Sequence, residues 1–115
     1  MNEHLSFNKG TISISKHDFD GICWLLFSDF TDSIQIYANK SQINAFENDL
    51  RNWRSLRSQE LFCSSGSIFM RQKDGGVNII VYGENNNISE IFIQLAKDEI
   101  KEFSSLLKKS LDNWD

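Results

Sequence analysis

The chain has 115 residues, 40% of them hydrophobic, with nine Phe and three Trp; this is apolar mass for one core in a single domain, 1–115, and too little length for two. A net charge of −4 excludes a protein that grips nucleic acid without regard to sequence, because displacing counter-ions from phosphate needs clustered surplus cations. The same charge disfavours docking on an anionic membrane surface.

Residues 1 to 9 are polar with isolated apolar positions and read as a loosely held lead-in. Residues 11 to 15 alternate, with Ile12 and Ile14 on one side, as a strand does. Residues 21 to 28 are apolar at both parities, as in a strand covered on both faces, and 33 to 38 alternate again. The period then changes. Ile43, Phe46, Leu50, Trp53 and Leu56 form one helical stripe, which places a first helix at about 41–57, capped by Ser41 or Asn39.

Four β-runs follow, punctuated by the turn signals Lys73-Asp74-Gly75-Gly76 and Gly83-Glu84-Asn85-Asn86-Asn87. A second helix occupies about 97–113, with Ile100, Phe103, Leu107 and Leu111 as its stripe. Asp98 and Glu99 lie at its positive end, Lys108 and Lys109 at its negative end. The expected fold is α+β, in the order βββαββββα: an antiparallel sheet of about six or seven strands with both helices on one face. No internal repeat and no linker stand out. The uncovered sheet face must be partly polar or lie against something else.

Side chains suited to catalysis are scarce. Only His4 and His17 are histidines, the first in the lead-in and the second in a turn. His17, Asp18 and Asp20 crowd one turn, but without the glycine and closing glutamate of a calcium loop. Asp74-Gly75-Gly76 lacks the Lys-Ser/Thr ending of a phosphate loop, and Ser64, Ser65 and Ser67 lack a nucleophile elbow. Cys23 and Cys63 lie in apolar runs and read as buried thiols in a reducing cytoplasm. The N-terminus has no basic start followed by an apolar stretch, and no apolar run approaches the ~20 residues of a membrane span. The expectation is a protein that is not an enzyme and has no catalytic residues, metal ligands or cofactor.

Three features suit binding instead. The turns are rich in acid: Asp18, Asp20, Asp29, Asp32, Asp74, Glu84 and Glu90. Clustered at one sheet end these would steer a basic partner; otherwise they are solvated turn residues. Asp18, Asp20, Glu84 and Asp74 share one end if the strand order allows it. Arg51, Arg54 and Arg57 surround Trp53 on the first helix. They form either a patch able to grip a phosphate or stack on a base, or a solvated face on which Glu47 pairs with Arg51. Finally, Phe7, Phe27, Phe30, Phe62, Phe69, Tyr37, Tyr82 and Trp114 exceed what one stripe per helix needs; they fill the core or anchor a partner.

The order of elements resembles the immunity proteins of bacterial polymorphic-toxin and contact-dependent growth-inhibition systems, the WapI-like group in particular. The resemblance runs over about residues 20 to 112. It rests on Ser28-Asp29-Phe30-Thr31-Asp32 before an alternating strand, on SQINAFENDL (41–50) opening the first helix, on four β-runs, and on DEIKEFSSLL (98–107) closing the chain. It implies a cytoplasmic protein that covers or occludes the active site of a cognate toxin domain, commonly a basic nuclease. The partner-binding residues expected on that reading are the carboxylates Asp18, Asp20, Asp29, Asp32, Glu84 and Glu90, with Tyr82 as an anchor. A monomer is the favoured free state. The alternative is a non-catalytic adaptor, chaperone or oligomerising module.

Overall fold

Alternation at period two and spacing at period 3.6 divide the chain into eight strands and two helices among the described residues. The structure is a computed structural model that describes residues 2–7, 10–16, 22–29, 32–63, 65–83 and 89–113. The first half comprises β1 (Asn2–Phe7), β2 (Gly10–Lys16), β3 (Ile22–Ser28), β4 (Ser33–Asn39) and α1 (Lys40–Arg51). The second comprises β5 (Ser58–Cys63), β6 (Gly66–Lys73), β7 (Gly76–Gly83), β8 (Ser89–Ala96) and α2 (Lys97–Asp112).

The α+β class and both helices match expectation, but the sheet does not. In place of one sheet of six or seven strands there are two four-stranded antiparallel sheets, ordered β1-β2-β3-β4 and β5-β6-β7-β8. The element order is ββββαββββα, because the lead-in is itself a strand, pairing with β2 from Asn2↔Ser15 to Phe7↔Gly10. The sheets stay separate because α1 leaves at the end of β4, and the facing edge of β4 is occupied by a side chain. The Tyr37 backbone N–H donates to Ser65 Oγ (2.9 Å), and that hydroxyl donates to the Gln35 carbonyl (3.3 Å). A serine from the β5–β6 turn thus closes an edge that would otherwise template another strand.

The helix α1 begins with a reciprocal capping box. Asn39 Oδ1 accepts from the Gln42 N–H (2.8 Å), and Gln42 Oε1 accepts from the Asn39 N–H (2.9 Å). The helix ends at Arg51 rather than near 57, because the Asn52 side chain turns back to donate to the Asn48 carbonyl (2.9 Å). Trp53 and Leu56 still reach the core. Their N–H groups donate to Leu50 and Trp53, three residues back (3.3 and 3.2 Å), and such tight turns keep every third residue on one side.

The inward rows of both sheets and the stripes of both helices form one core. Ile12, Phe27, Ile36, Ile43, Phe46, Leu50, Ile79, Ile91 and Phe103 are fully enclosed in it. Phe27 is therefore core, not surplus. α1 packs against β4 and β5, and α2 against β1, β2, β7 and β8.

The two halves correspond element by element, a repeat that the sequence does not announce. Matching the strand registers pairs Gly10 with Gly66, Ile12 with Ile68, Leu25 with Ile79 and Phe27 with Val81. In the last strand and helix it pairs Ile34 with Ile91, Ile36 with Ile93, Ile43 with Ile100, Phe46 with Phe103 and Leu50 with Leu107. The two paired glycines meet the same constraint: a Cβ on Gly10 would run into the Ser28 carbonyl, and one on Gly66 into the Tyr82 carbonyl, and Ser28 and Tyr82 correspond.

Corresponding residues also touch across the helix pair. The Phe46 and Phe103 rings pack edge to face with centroids 5.4 Å apart. Ser104 donates to Glu47 Oε2 (3.2 Å) across a sequence separation of 57. Contact between a position and its own counterpart is the signature of a two-fold axis, here an approximate one inside a single chain.

Candidate interaction surface

Strand alternation sends Leu61, Ile68, Val81 and Ile91, which lie abreast, into the core. Their neighbours one residue along must then point outward. Two adjacent outward rows result: Phe62, Ser67, Tyr82 and Glu90, then Glu60, Phe69, Ile80 and Phe92. Phe62 is 71% exposed and Phe92 45%. Phe69, Ile80 and Tyr82 are half-buried between them. The outer face of β5–β8 is therefore an apolar band of five side chains. Glu60 and Glu90 flank it on the two edge strands, and Arg71 and Lys73 lie farther along β6 toward the opposite end. Ser67 Oγ donates to Glu60 Oε2 (3.3 Å), which holds that carboxylate beside the band.

The other sheet serves as an internal control. At the positions corresponding to Phe62, Phe69, Tyr82, Glu90 and Phe92 it carries Ser6, Ser13, Ser28, Ser33 and Gln35. Leu26 stands where Ile80 does, and Tyr37, 37% exposed, lies on the same outer face, so the contrast is in the aromatics: the fold accepts serine and glutamine at these places, and packing does not require aromatics there. Large contiguous apolar patches on a soluble surface mark interaction sites. Burying each such side chain against a partner is worth roughly 1.5–3 kcal/mol.

The expected partner-binding residues fall into three groups. Tyr82 and Glu90 lie directly opposite one another on this face. Asp29 and Asp32 build the β3–β4 turn: the Asp32 N–H donates to Asp29 Oδ1 (2.7 Å), and the Asp29 N–H to the Asp32 carbonyl (2.9 Å). That side-chain turn gives Asp29 a local structural role. Asp18, Asp20 and Glu84 lie outside the described residues, as do His17, Phe30 and Trp114.

Ile34, just after the Asp29–Asp32 turn, packs on Gly83. The turn therefore stands at the same end of β7 as Tyr82 and Glu90. Asp74 does not join them, because it sits in the β6–β7 turn at the far end of the hairpin.

Sequence reasoning singled out Phe62, Phe69 and Tyr82 but missed Glu60, Ile80 and Phe92. The signal available was an aromatic at the polar parity of a strand, as Phe92 stands between Ile91 and Ile93; only the cross-strand register joins such residues into a band.

Of the remaining candidates, Arg51 pairs with Glu47 as anticipated (3.5 Å). Cys63 is a free, half-buried thiol whose burial pushes its pKa up to about 11, so it is protonated near neutral pH. Among the described residues no cluster of His, Cys, Asp and Glu is arranged to hold a metal, and no helix is long and apolar enough to cross a membrane. No protein-family model matches the chain, and no curated protein matches it.

Proposed function

We propose that this chain is a non-catalytic binding protein that seats a partner protein on the outer face of β5–β8, and that the partner is a toxin domain it neutralises. The observation that carries the binding reading is the contrast between corresponding faces: aromatics occupy one sheet where serine and glutamine serve in the other. Exposed Phe62 and Phe92, with half-buried Phe69 and Tyr82 between them, are the kind of anchor that protein interfaces use.

The acidic balance of the chain and the Glu60 and Glu90 flanks suit a basic partner, as a nuclease toxin is. The immunity role itself comes from the resemblance in element order. It entails a cytoplasmic protein that meets the toxin before its substrate does, and the free Cys63 thiol suits that reducing compartment.

The test pairs the protein with any toxin-like domain that a neighbouring gene encodes, using calorimetry and an assay of that domain's activity. A one-to-one complex that abolishes the activity is the expected result. Replacing Phe62 by Ser and Phe92 by Gln, the residues at the corresponding places in the other sheet, should weaken the complex by about 2 kcal/mol or more per anchor. Full neutralisation by that double variant sinks the assignment of the face.

The same band would also suit a second copy of the chain, as in the oligomerising alternative. Light scattering separates the two, and a stable dimer abolished by the same double substitution favours the second.

A further inference from the structure

We infer that the cleft between the end of α1 and the start of α2 binds a phosphate-bearing small molecule. The cleft holds about 390 Å³ and is walled by Arg51, Trp53, Arg54, Lys97, Lys101 and Ser104. Four cations thus line one cleft in a chain whose net charge is −4. Asp98 is the acid on that wall. Glu47 lies beneath, 5% exposed, and is already shared between Arg51 and Ser104.

Like charges one helical turn apart, as Lys97 and Lys101 are, repel each other. They also stand in the first turns of α2, where the helix dipole is positive. Repulsion of this kind is relieved by an anion seated among the cations.

Both guanidinium groups are placed in advance. Arg54 lies over the Trp53 ring, 5.0 Å from its centroid. Arg51 is held by Glu47 (3.5 Å) and donates through Nη2 to Asn48 Oδ1 (2.9 Å). Two forked guanidinium groups and two ammonium groups lining one cleft suit a tetrahedral dianion with several acceptor oxygens better than a single carboxylate. A second hollow of about 440 Å³ shares Trp53 and Arg54 and continues along Gln72, Lys73 and Asp74, leaving room for the rest of a ligand. The size fits a small molecule, and the net negative charge of the chain opposes a long polyanion.

The approximate two-fold axis again supplies a control. At the opposite end of the helix pair, Lys40, Asn44 and Lys108 stand where this cleft has Lys97, Lys101 and Arg51. The tight turn bearing Trp53 and Arg54 has no counterpart there, since α2 runs on to Asp112. The fold therefore does not require the cluster.

Calorimetric titration of the full chain with pyrophosphate at low ionic strength tests the inference. Saturable one-to-one binding is expected, weakened at least about tenfold by Lys97→Gln with Lys101→Gln. Lys108→Gln with Lys109→Gln makes the same change in net charge at the far end of α2 and should leave the affinity unchanged. Equal weakening by both pairs, or a titration that never saturates, overturns the site. All four lysines are exposed, and circular dichroism verifies that each variant is folded. The cleft lies on the helix side and the aromatic band on the opposite side of the second sheet, so failure here leaves the toxin-binding reading standing, and the reverse.

Discussion

The half formed by β1–β4 and α1 and the half formed by β5–β8 and α2 are alike at most positions that face inward and differ at most of those compared on the outer face. Ile34 and Ile91, Ile43 and Ile100, and Leu50 and Leu107 are the same residue in the same role. Outward, Ser28 stands against Tyr82 and Gln35 against Phe92. Inward positions answer to close packing, which tolerates little variation. Outward positions are released from that demand, so a departure there reports a use of the surface. The same logic separates the two clefts at the ends of the helix pair.

The comparison breaks most visibly at the helix contact. Phe46→Ala and Phe103→Ala should each destabilise the protein by about 3–5 kcal/mol in denaturant unfolding. The two losses should be similar and each unfolding a single transition; a second transition would mean that the halves fold independently. Next come the paired glycines. Gly10→Ala and Gly66→Ala each force a methyl against a neighbouring carbonyl and should cost about 1–3 kcal/mol. A large cost at one site and none at the other would show the correspondence to be superficial.

Smaller still is the stability effect of Phe62→Ser with Phe92→Gln. Each change should lie within about 0.5 kcal/mol, since the counterpart sheet carries those residues already. Thermal melts check this, and a collapse of stability would return the band to a structural role. A last effect, confined to alkaline pH, belongs to Cys63, whose burial raises its pKa to about 11. Between the ordinary thiol range and that value the unfolded chain loses a proton that the folded chain keeps, so stability falls as pH rises through the window. The residue is half-exposed and screened, so the loss should be on the order of 1 kcal/mol. It should vanish in Cys63→Ala, and unfolding curves from pH 8 to 11 measure it.

The helix stripes were legible because Ile43, Phe46 and Leu50, like Ile100, Phe103 and Leu107, carry the 3.6 period without interruption. The end of α1 was not, because Trp53 and Leu56 keep a spacing of three that a helix and a run of tight turns share. Alternation revealed strands but not their neighbours, and so could not divide one sheet into two. Glu3, Leu5 and Phe7 showed too little contrast with the residues between them for β1 to be seen, although its backbone pairs along its whole length. The repeat was hidden because its glycines and isoleucines are scattered among unrelated surface residues. For the candidate site, the excess of aromatics was visible and its location was not, since register alone sets Phe62, Tyr82 and Phe92 on one face. Composition shows acid in the β3–β4 turn but not that Asp29 also holds its own loop.

The approximate two-fold axis fixes valency. A true dimer of either half would display its outer face twice, and a sticky face shown twice links partners into chains. Held within one polypeptide, the two faces are free to diverge, and here Phe62, Phe69, Tyr82 and Phe92 stand on one where serines and a glutamine stand on the other. On the proposed reading, a molecule with one such face would cap a single target and terminate the assembly, as an inhibitor must.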